Sequence, residues 1–344
     1  MSDDRLPWLG LVLLAPMVAL VIVGASALTT LARTTERVNT AAAVSAFAAD
    51  AAVVLEDLQI ERTNAATFRM NPEMVSRQVL LERRRDTDRT IETMFARSTE
   101  TSPVLGDAAL DRLRASLSGL ERARALGEDT GVALDPAVDA YTDVISSFLD
   151  GLADEFARSD IADPAFSTAF VMIARLQERV AIETSIGLLA FADGALMVES
   201  HPVLIEAIAP QAALTDGFKK LAGPGWGEAL SATLAGADPD RLAAARAALI
   251  EAGYTDALDV SHRTFWREER LPVYFDLGVL RSRFAQEGVA GIIEEARADR
   301  AAAVRIAGLK ILLLLLASGA AVFGVLRLAD DPLRARRPKA TPAG

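Results

Sequence analysis

Between residues 41 and 69, apolar side chains recur at Val44, Phe47, Ala51, Val54, Leu58, Ala65 and Phe68. These steps of three and four keep one side of a helix apolar and predict one long amphipathic helix. Position 61 falls on the same seam and holds Glu61. A second stripe one column over runs Leu55, Gln59, Arg62, Ala66 and Arg69, so Gln59, Arg62 and Arg69 project from the border of the packed face. A carboxylate and a guanidinium thus stand where a helix bundle ordinarily places leucine. One reading lets Glu61 and Arg62 snorkel to water with their stems packed. The other keeps them inside, where ions are tolerated only when paired or holding a ligand, and makes Arg62 a candidate anion binder.

The same 3.6 period continues down the chain. Asn71-Pro72 breaks the first helix, and a second runs through Leu80, Leu81, Thr87 and Ile91 to about Ala96. After Ser102-Pro103, Leu110, Leu113, Leu117 and Leu120 predict a helix over 107–126, closed by a polar turn at Gly127 to Gly131. Asp135-Pro136 opens a fourth, with Val138, Tyr141, Ile145, Phe148, Leu149 and Leu152 on one face. Asp163-Pro164 starts a second long helix, to about Glu199, whose seam runs Phe166, Phe170, Ile173, Leu176, Val180, Glu183, Gly187 and Ala190. Here too a carboxylate interrupts the apolar face. Leu176-Gln177-Glu178-Arg179 echoes Leu58 to Arg62 minus one residue, which suggests a weak internal repeat.

Beyond it, Pro202 to Leu221 reads as a helix broken near Pro210, Ala222 to Gly225 as a loop with Trp226 as a hydrophobic plug, and Asp238-Pro239 to Gly253 as a further helix. From Leu271-Pro272 the pattern places Phe275, Val279, Phe284, Val289, Ile292 and Ile293 on a helix, with Gly288 and Gly291 as its weakest points. No turn signal separates Ile292 from Ile306, so this helix is expected to run on into the next apolar stretch.

Two such stretches bound the chain. After a short polar tail, residues 1–5, the run Leu6 to Ala32 carries no charge; as a helix it spans ~40 Å, more than the ~30 Å hydrocarbon core. It is read as a first transmembrane helix. The competing reading is a cleaved signal peptide, because Ala25-Ser26-Ala27 has the small-x-small form of a cleavage site. Residues 306–328 form a second apolar run interrupted only near its edges, by Lys310 and Arg327. The tail 329–344 carries Arg334, Arg336, Arg337 and Lys339, and basic residues beside a span mark the cytoplasmic side. Both termini are therefore expected in the cytoplasm, with residues 33–305 outside it.

Composition sharpens this outline. Hydrophobic residues make up 51% of the chain but aromatic ones only 6%, and no turn-punctuated β pattern occurs, which favours packed helices. With no cysteine there are neither disulfides nor thiolate metal sites, and the only histidines, His201 and His262, are read as capping or surface residues. No metal or cofactor is expected, and no nucleophile–base spacing suggests an enzyme. The formal net charge is −11, and the segment between the apolar ends is more acidic than the whole. That excludes nucleic acid as a partner. Any anion must be held by a local arginine cluster, since guanidinium offers paired donors that suit a small planar oxyanion.

The sequence Leu58-Gln59-Ile60-Glu61-Arg62, followed by Arg84-Arg85-Asp86-Thr87-Asp88, resembles the first two helices of the bacterial nitrate- and nitrite-sensing (NIT) domain, with its LQxER and RxxTD motifs. The usual glycine after the first motif is Thr63 here. The family's later helix often carries a second Glu-Arg pair; Glu183 matches its glutamate, and Thr184 occupies the arginine position. The resemblance implies an all-α fold of two up-and-down helical bundles between two transmembrane helices, with an anion in the bundle interior. It points to Arg62 first, then Arg84, Arg69 and Arg179 as anion contacts, Arg179 standing in for the arginine missing at 184. Gln59, Glu61, Glu183 and Thr184 are the supporting residues.

The expected protein is a receptor of the bacterial inner membrane whose external domain senses nitrate or nitrite. Its tail after Leu328 is too short for an output module, so it signals through an unidentified partner chain, and a homodimer is a further candidate assembly. The alternatives are a sensor of another small ligand, such as an amino acid or a carboxylate, and a ligand-free scaffold in the membrane.

Overall fold

The computed structural model describes residues 6–70, 73–100, 105–129, 134–158, 164–255 and 257–334. Among them the elements are helices joined by short turns, with no strand. In order they are α1 (Leu6–Met70), α2 (Arg77–Glu100), α3 (Asp107–Ser116), α4 (Leu120–Glu128), α5 (Leu134–Arg158), α6 (Pro164–Asp193), α7 (Ser200–Ile208), α8 (Gln211–Ala222), α9 (Pro224–Leu234) and α10 (Pro239–Thr255). A short 3₁₀ turn at Val260–His262, one helical turn at Arg263–Phe265 and a π turn at Trp266–Arg270 then lead into α11 (Leu271–Glu287), followed by α12 (Ala290–Arg334). Several expected features lie outside the described residues: the tail 1–5, the breaks at Asn71-Pro72 and Ser102-Pro103, Gly131, Asp163, and the basic residues Arg336, Arg337 and Lys339.

Two compact units divide the chain: Thr40–Ala290, and a second formed by Met1–Asn39 with Gly291–Gly344. The first holds the bundles. Its centre is where α1 and α6 meet. The seam of α1 is buried from Val44 through Leu58, Glu61 and Ala65, and that of α6 from Phe166 to Ala190, Glu183 included. Phe47 of α1, Phe156 of α5 and Phe170 of α6 pack edge to face, with ring centroids 5.9 and 6.3 Å apart; such pairs add about 0.5–1.5 kcal/mol each beyond their burial. Helices α3 and α4 lie on α5, closing one bundle. On the other side α6 packs against α7, α8 and α11, and Phe284 of α11 gathers Phe166, Phe218 and Trp226 at 5.1–5.2 Å. Trp226 is thus part of a hydrophobic cluster.

Turn chemistry explains where the observed boundaries differ from the expected ones. The single helix expected over 107–126 is split at Leu117–Gly119, where Gly119 lets the backbone approach Val144; a Cβ there would lie 3.1 Å from its side chain. Helix α6 stops at Asp193, short of Glu199, because Gly194 takes a left-handed φ of 73° and its N–H, with that of Ala195, returns to the Ala190 carbonyl. The expected loop over 222–225 shrinks to Gly223 at φ 89°, since Pro224 opens α9 at the first helical position. Phe275 and Val279 of α11 point outward; its core face is Val273, Leu277, Leu280, Arg281 and Phe284. The expected continuous helix breaks at Gly288, then runs unbroken as α12.

In the second unit, exposed apolar side chains are frequent, among them Val21, Ile22 and Leu28 of α1 and Leu312, Leu313, Leu315, Leu316 and Phe323 of α12. Among the described residues, two stretches are long and apolar enough to cross a bilayer, Val18–Met70 and Ile293–Gly324. They are compatible with a bitopic membrane protein.

Candidate functional site

The charged interruptions of the apolar seams are all buried and all engaged. Glu61, fully buried, accepts hydrogen bonds from Arg124 of α4 through Nε (2.8 Å) and Nη2 (3.1 Å) and from the Tyr141 hydroxyl of α5 (2.8 Å). Arg84 of α2 stands 3.8 Å away, pairs with Glu128, and donates 2.8 Å to the Arg124 carbonyl. Asp88, the last residue of the Arg84–Asp88 motif, shares Nη2 of Arg124 with Glu61, at 2.8 Å. Burial, with Glu61 adding to it, pushes the Tyr141 hydroxyl well above its ordinary range, which keeps it a donor. This cluster ties α1, α2, α4 and α5 together. Its carboxylate already accepts three hydrogen bonds from protein donors.

Arg62 points elsewhere. Only 7% exposed, it crosses to α6, where Nη1 lies 2.5 Å from Oε1 of Glu178 and Nη2 lies 3.2 Å from Oε2. Nη1 also donates to the Thr142 hydroxyl of α5 (2.9 Å), and Gln59 donates to Glu178 at 2.7 Å. The two echoing segments, Leu58–Arg62 and Leu176–Arg179, therefore face one another, with Gln59 and Arg62 of one gripping Glu178 of the other. A guanidinium has five N–H donors. Glu178 takes the terminal edge, and the Nε–Nη2 edge carries no protein acceptor among the described residues.

A cleft of about 330 Å³ opens beside Arg62. Thr142 stands at the same end, and Ala66, Val138, Ile182, Ile186, Leu189 and Val203 wall it. Among the described residues no group of His, Cys, Asp or Glu is arranged to hold a metal ion.

Glu183 forms a third cluster. Arg246 of α10 reaches it with Nε at 2.6 Å and Nη2 at 2.8 Å, Arg270 of the π turn with Nη2 at 2.6 Å, and Gln211 of α8 with Nε2 at 2.5 Å. Burial pushes the carboxyl up, but Arg246 and Arg270 outweigh it, and the group is held below its ordinary range. Thr184, beside it, is buried, and its carbonyl accepts the Trp266 indole N–H at 3.0 Å. Two arginines from other helices therefore supply the charge that an arginine at 184 would bring. Arg179 does not fill that role: it is half-buried on α6 and makes no ion pair among the described residues. Arg69 donates to the Leu126 carbonyl at 3.2 Å, at the edge of the first cluster.

Arg281 of α11 is the most confined cation. It is fully buried, donates through Nη2 to the Ala52 carbonyl (2.8 Å), and has its nearest carboxylate, Glu56, at 4.0 Å. Among the described residues its Nε and Nη1 have no acceptor, and burial lowers it to about 10. Tyr274, whose hydroxyl burial pushes up, feels the charges of Arg62, Glu178 and Arg281. The Oε1 atoms of Gln59 and Gln177 are likewise buried without a partner.

The sequence reading did not single out Arg124, Arg246, Arg270, Arg281, Gln211 or Tyr274. A signal existed for some of them. Leu113, Leu117, Leu120 and Arg124 form one seam, and Trp266, Arg270, Val273, Leu277, Arg281 and Phe284 another; each is interrupted by arginine as the seam of α1 is by glutamate. His201 rests edge-on against Tyr254 (4.7 Å), and His262 lies 3.9 Å from Asp259.

Long helices with ionic groups buried between them, and a cleft against one buried arginine, define a helical-bundle domain with a charged interior. Residues 53–281 match the family described as nitrate and nitrite sensing (NIT), and the chain belongs to that family. Its fold is similar to that of the NasR transcription antiterminator, with a TM-score of 0.58 at 17% identity over 84% of this chain and 80% of that one. No curated protein matches it in sequence. The chain thus carries a nitrate- and nitrite-sensing domain.

Proposed function

We propose that this domain binds a small planar oxyanion, nitrate or nitrite, on the open edge of Arg62, and that the protein is a membrane-anchored receptor passing the signal to a partner chain. The observation that carries the reading is the state of Arg62: buried, fixed in orientation by Glu178 and Thr142, and lining a cleft. Fixing one edge of a guanidinium leaves the other as two parallel donors, the arrangement that suits two oxygens of a planar anion. Glu178 also keeps the site near neutral before ligand arrives, which lowers the cost of burying the arginine. Arg84 and Arg69 are better accounted for as partners of the Glu61 cluster.

The membrane reading is supported by the two apolar stretches, and the orientation by the basic residues after the second. A cytoplasmic reporter fused after Gly344 should be active, and a periplasmic one there inactive. A nitrate-dependent rise in the thermal unfolding temperature of the full chain, lost in Arg62→Lys, is the direct test of the ligand site.

A further inference from the structure

The cleft beside Arg62 is larger and more apolar than nitrate requires. Its volume of about 330 Å³ reaches the lower end of the range of small-molecule pockets, roughly 300–1,000 Å³. A nitrate ion on Arg62 would leave Ile182, Ile186, Leu189 and Val203 facing water, which is unfavourable for apolar surface. At the rim stand two exposed carboxylates, Asp193 and Glu199. They disfavour a second negative charge on any ligand whose first is held by Arg62. Cation at one end, apolar walls along the length and acids at the mouth together select a single kind of occupant.

We propose that the cleft takes an amphiphilic monocarboxylate, an acid with a short-to-medium alkyl chain, whose carboxylate sits on the Nε–Nη2 edge of Arg62 and whose chain lies against the wall of α1, α5, α6 and α7. This rests on the reading of Arg62 as the anion contact and widens the class of ligand the sensor recognises. The carboxylate has the planar, two-oxygen face that nitrate presents, so one guanidinium edge serves both. The chain adds what nitrate lacks, burial of apolar area.

The test is calorimetry on the full chain in phospholipid nanodiscs, with empty nanodiscs subtracted, titrated with sodium acetate, butyrate and hexanoate, with hexanol, with adipate and with sodium nitrate. Each methylene entering the cleft should tighten binding by roughly fourfold, so hexanoate should bind on the order of a hundredfold tighter than acetate. Hexanol, without the charge, and adipate, with a second one at the acidic rim, should bind far more weakly than hexanoate. Arg62→Lys should weaken hexanoate at least tenfold. Ser185→Phe, an exposed wall position, should remove the chain-length gain. Hexanoate binding no tighter than acetate, hexanol binding as tightly as hexanoate, or an Arg62→Lys protein that still binds hexanoate as the wild type does would each overturn the proposal. Nitrate binding with a flat chain-length series would overturn it alone and leave the nitrate reading standing. A steep, Arg62-dependent series without nitrate binding would support it and remove nitrate as the ligand. No heat with any anion would end both.

Discussion

Arg62 on α1 and Glu178 on α6 share a two-point ion pair, 2.5 and 3.2 Å long, with side chains 8% and 4% exposed. Each is the other's main electrostatic partner. Glu178→Leu should leave a buried guanidinium without its counter-ion and destabilise the domain by about 3–5 kcal/mol. The double variant Arg62→Met/Glu178→Leu should recover most of that loss, because replacing both ions by apolar groups of similar size is close to neutral. Denaturant titration of the two variants checks this; equal destabilisation in both would mean that the pair is not what holds these helices together.

The Glu183 cluster makes a pH prediction. The carboxyl is held below its ordinary value of 4.5 in the folded chain by Arg246 and Arg270, so the unfolded state binds the proton more readily. Its contribution is fully present above about 4.5 and is lost as pH falls from there through the lower native value. Stability should therefore fall on acidification below 4.5, and Glu183→Gln should flatten that fall. Glu155, lowered by Arg112 in the same direction, leaves a residual slope. Denaturation midpoints measured between pH 3 and 7 distinguish the two proteins.

Arg281 is buried without an ion pair closer than 4.0 Å and with two nitrogens lacking acceptors. Arg281→Met, which keeps the length and removes the charge, should be neutral or stabilising by up to about 4 kcal/mol. A loss of stability in denaturant titration would show that its bond to the Ala52 carbonyl outweighs the desolvation of the cation.

Gly187 and Trp266 are in direct contact: a Cβ on Gly187 would fall 2.2 Å from the indole. Gly187→Ala should cost at least about 1–3 kcal/mol through overpacking. Thr184→Arg, which restores the family's usual residue, should be more harmful still, since it adds a third guanidinium to a cluster that Arg246 and Arg270 already fill. Thermal unfolding of both variants tests this, and a Thr184→Arg protein as stable as the wild type would contradict the assignment.

Much of the fold was legible because its helices bury one face each. The seams of α1, as far as Ala65, and of α6 were readable to the residue, including the glutamates that interrupt them, while Phe68 is only half-buried. What periodicity could not give was pairing. Glu61 and Arg62 are neighbours in sequence yet serve different partners, Arg124 and Glu178, because adjacent helical residues point about 100° apart. Nor could it place Arg62 inside: a border position on an isolated helix becomes interior once α5 and α6 close over it. Boundaries failed where a glycine, as at 119 and 194, acted through backbone geometry. Arg270 and Arg281 lie on the buried face that begins at Trp266, whereas Phe275, the first residue of the expected helical pattern, lies on the exposed one.

The most direct measurement is calorimetric titration of the full chain with sodium nitrate at millimolar concentrations, on the wild type and on Arg62→Lys. Lysine keeps a positive charge for Glu178, so the domain stays folded, but it loses the fork of donors. The account predicts a saturable heat for the wild type and a loss of about 1.5–3 kcal/mol of binding free energy in the variant, the scale of a charge-assisted hydrogen bond. A wild type without nitrate or nitrite binding, or an Arg62→Lys protein that binds equally well, would contradict it.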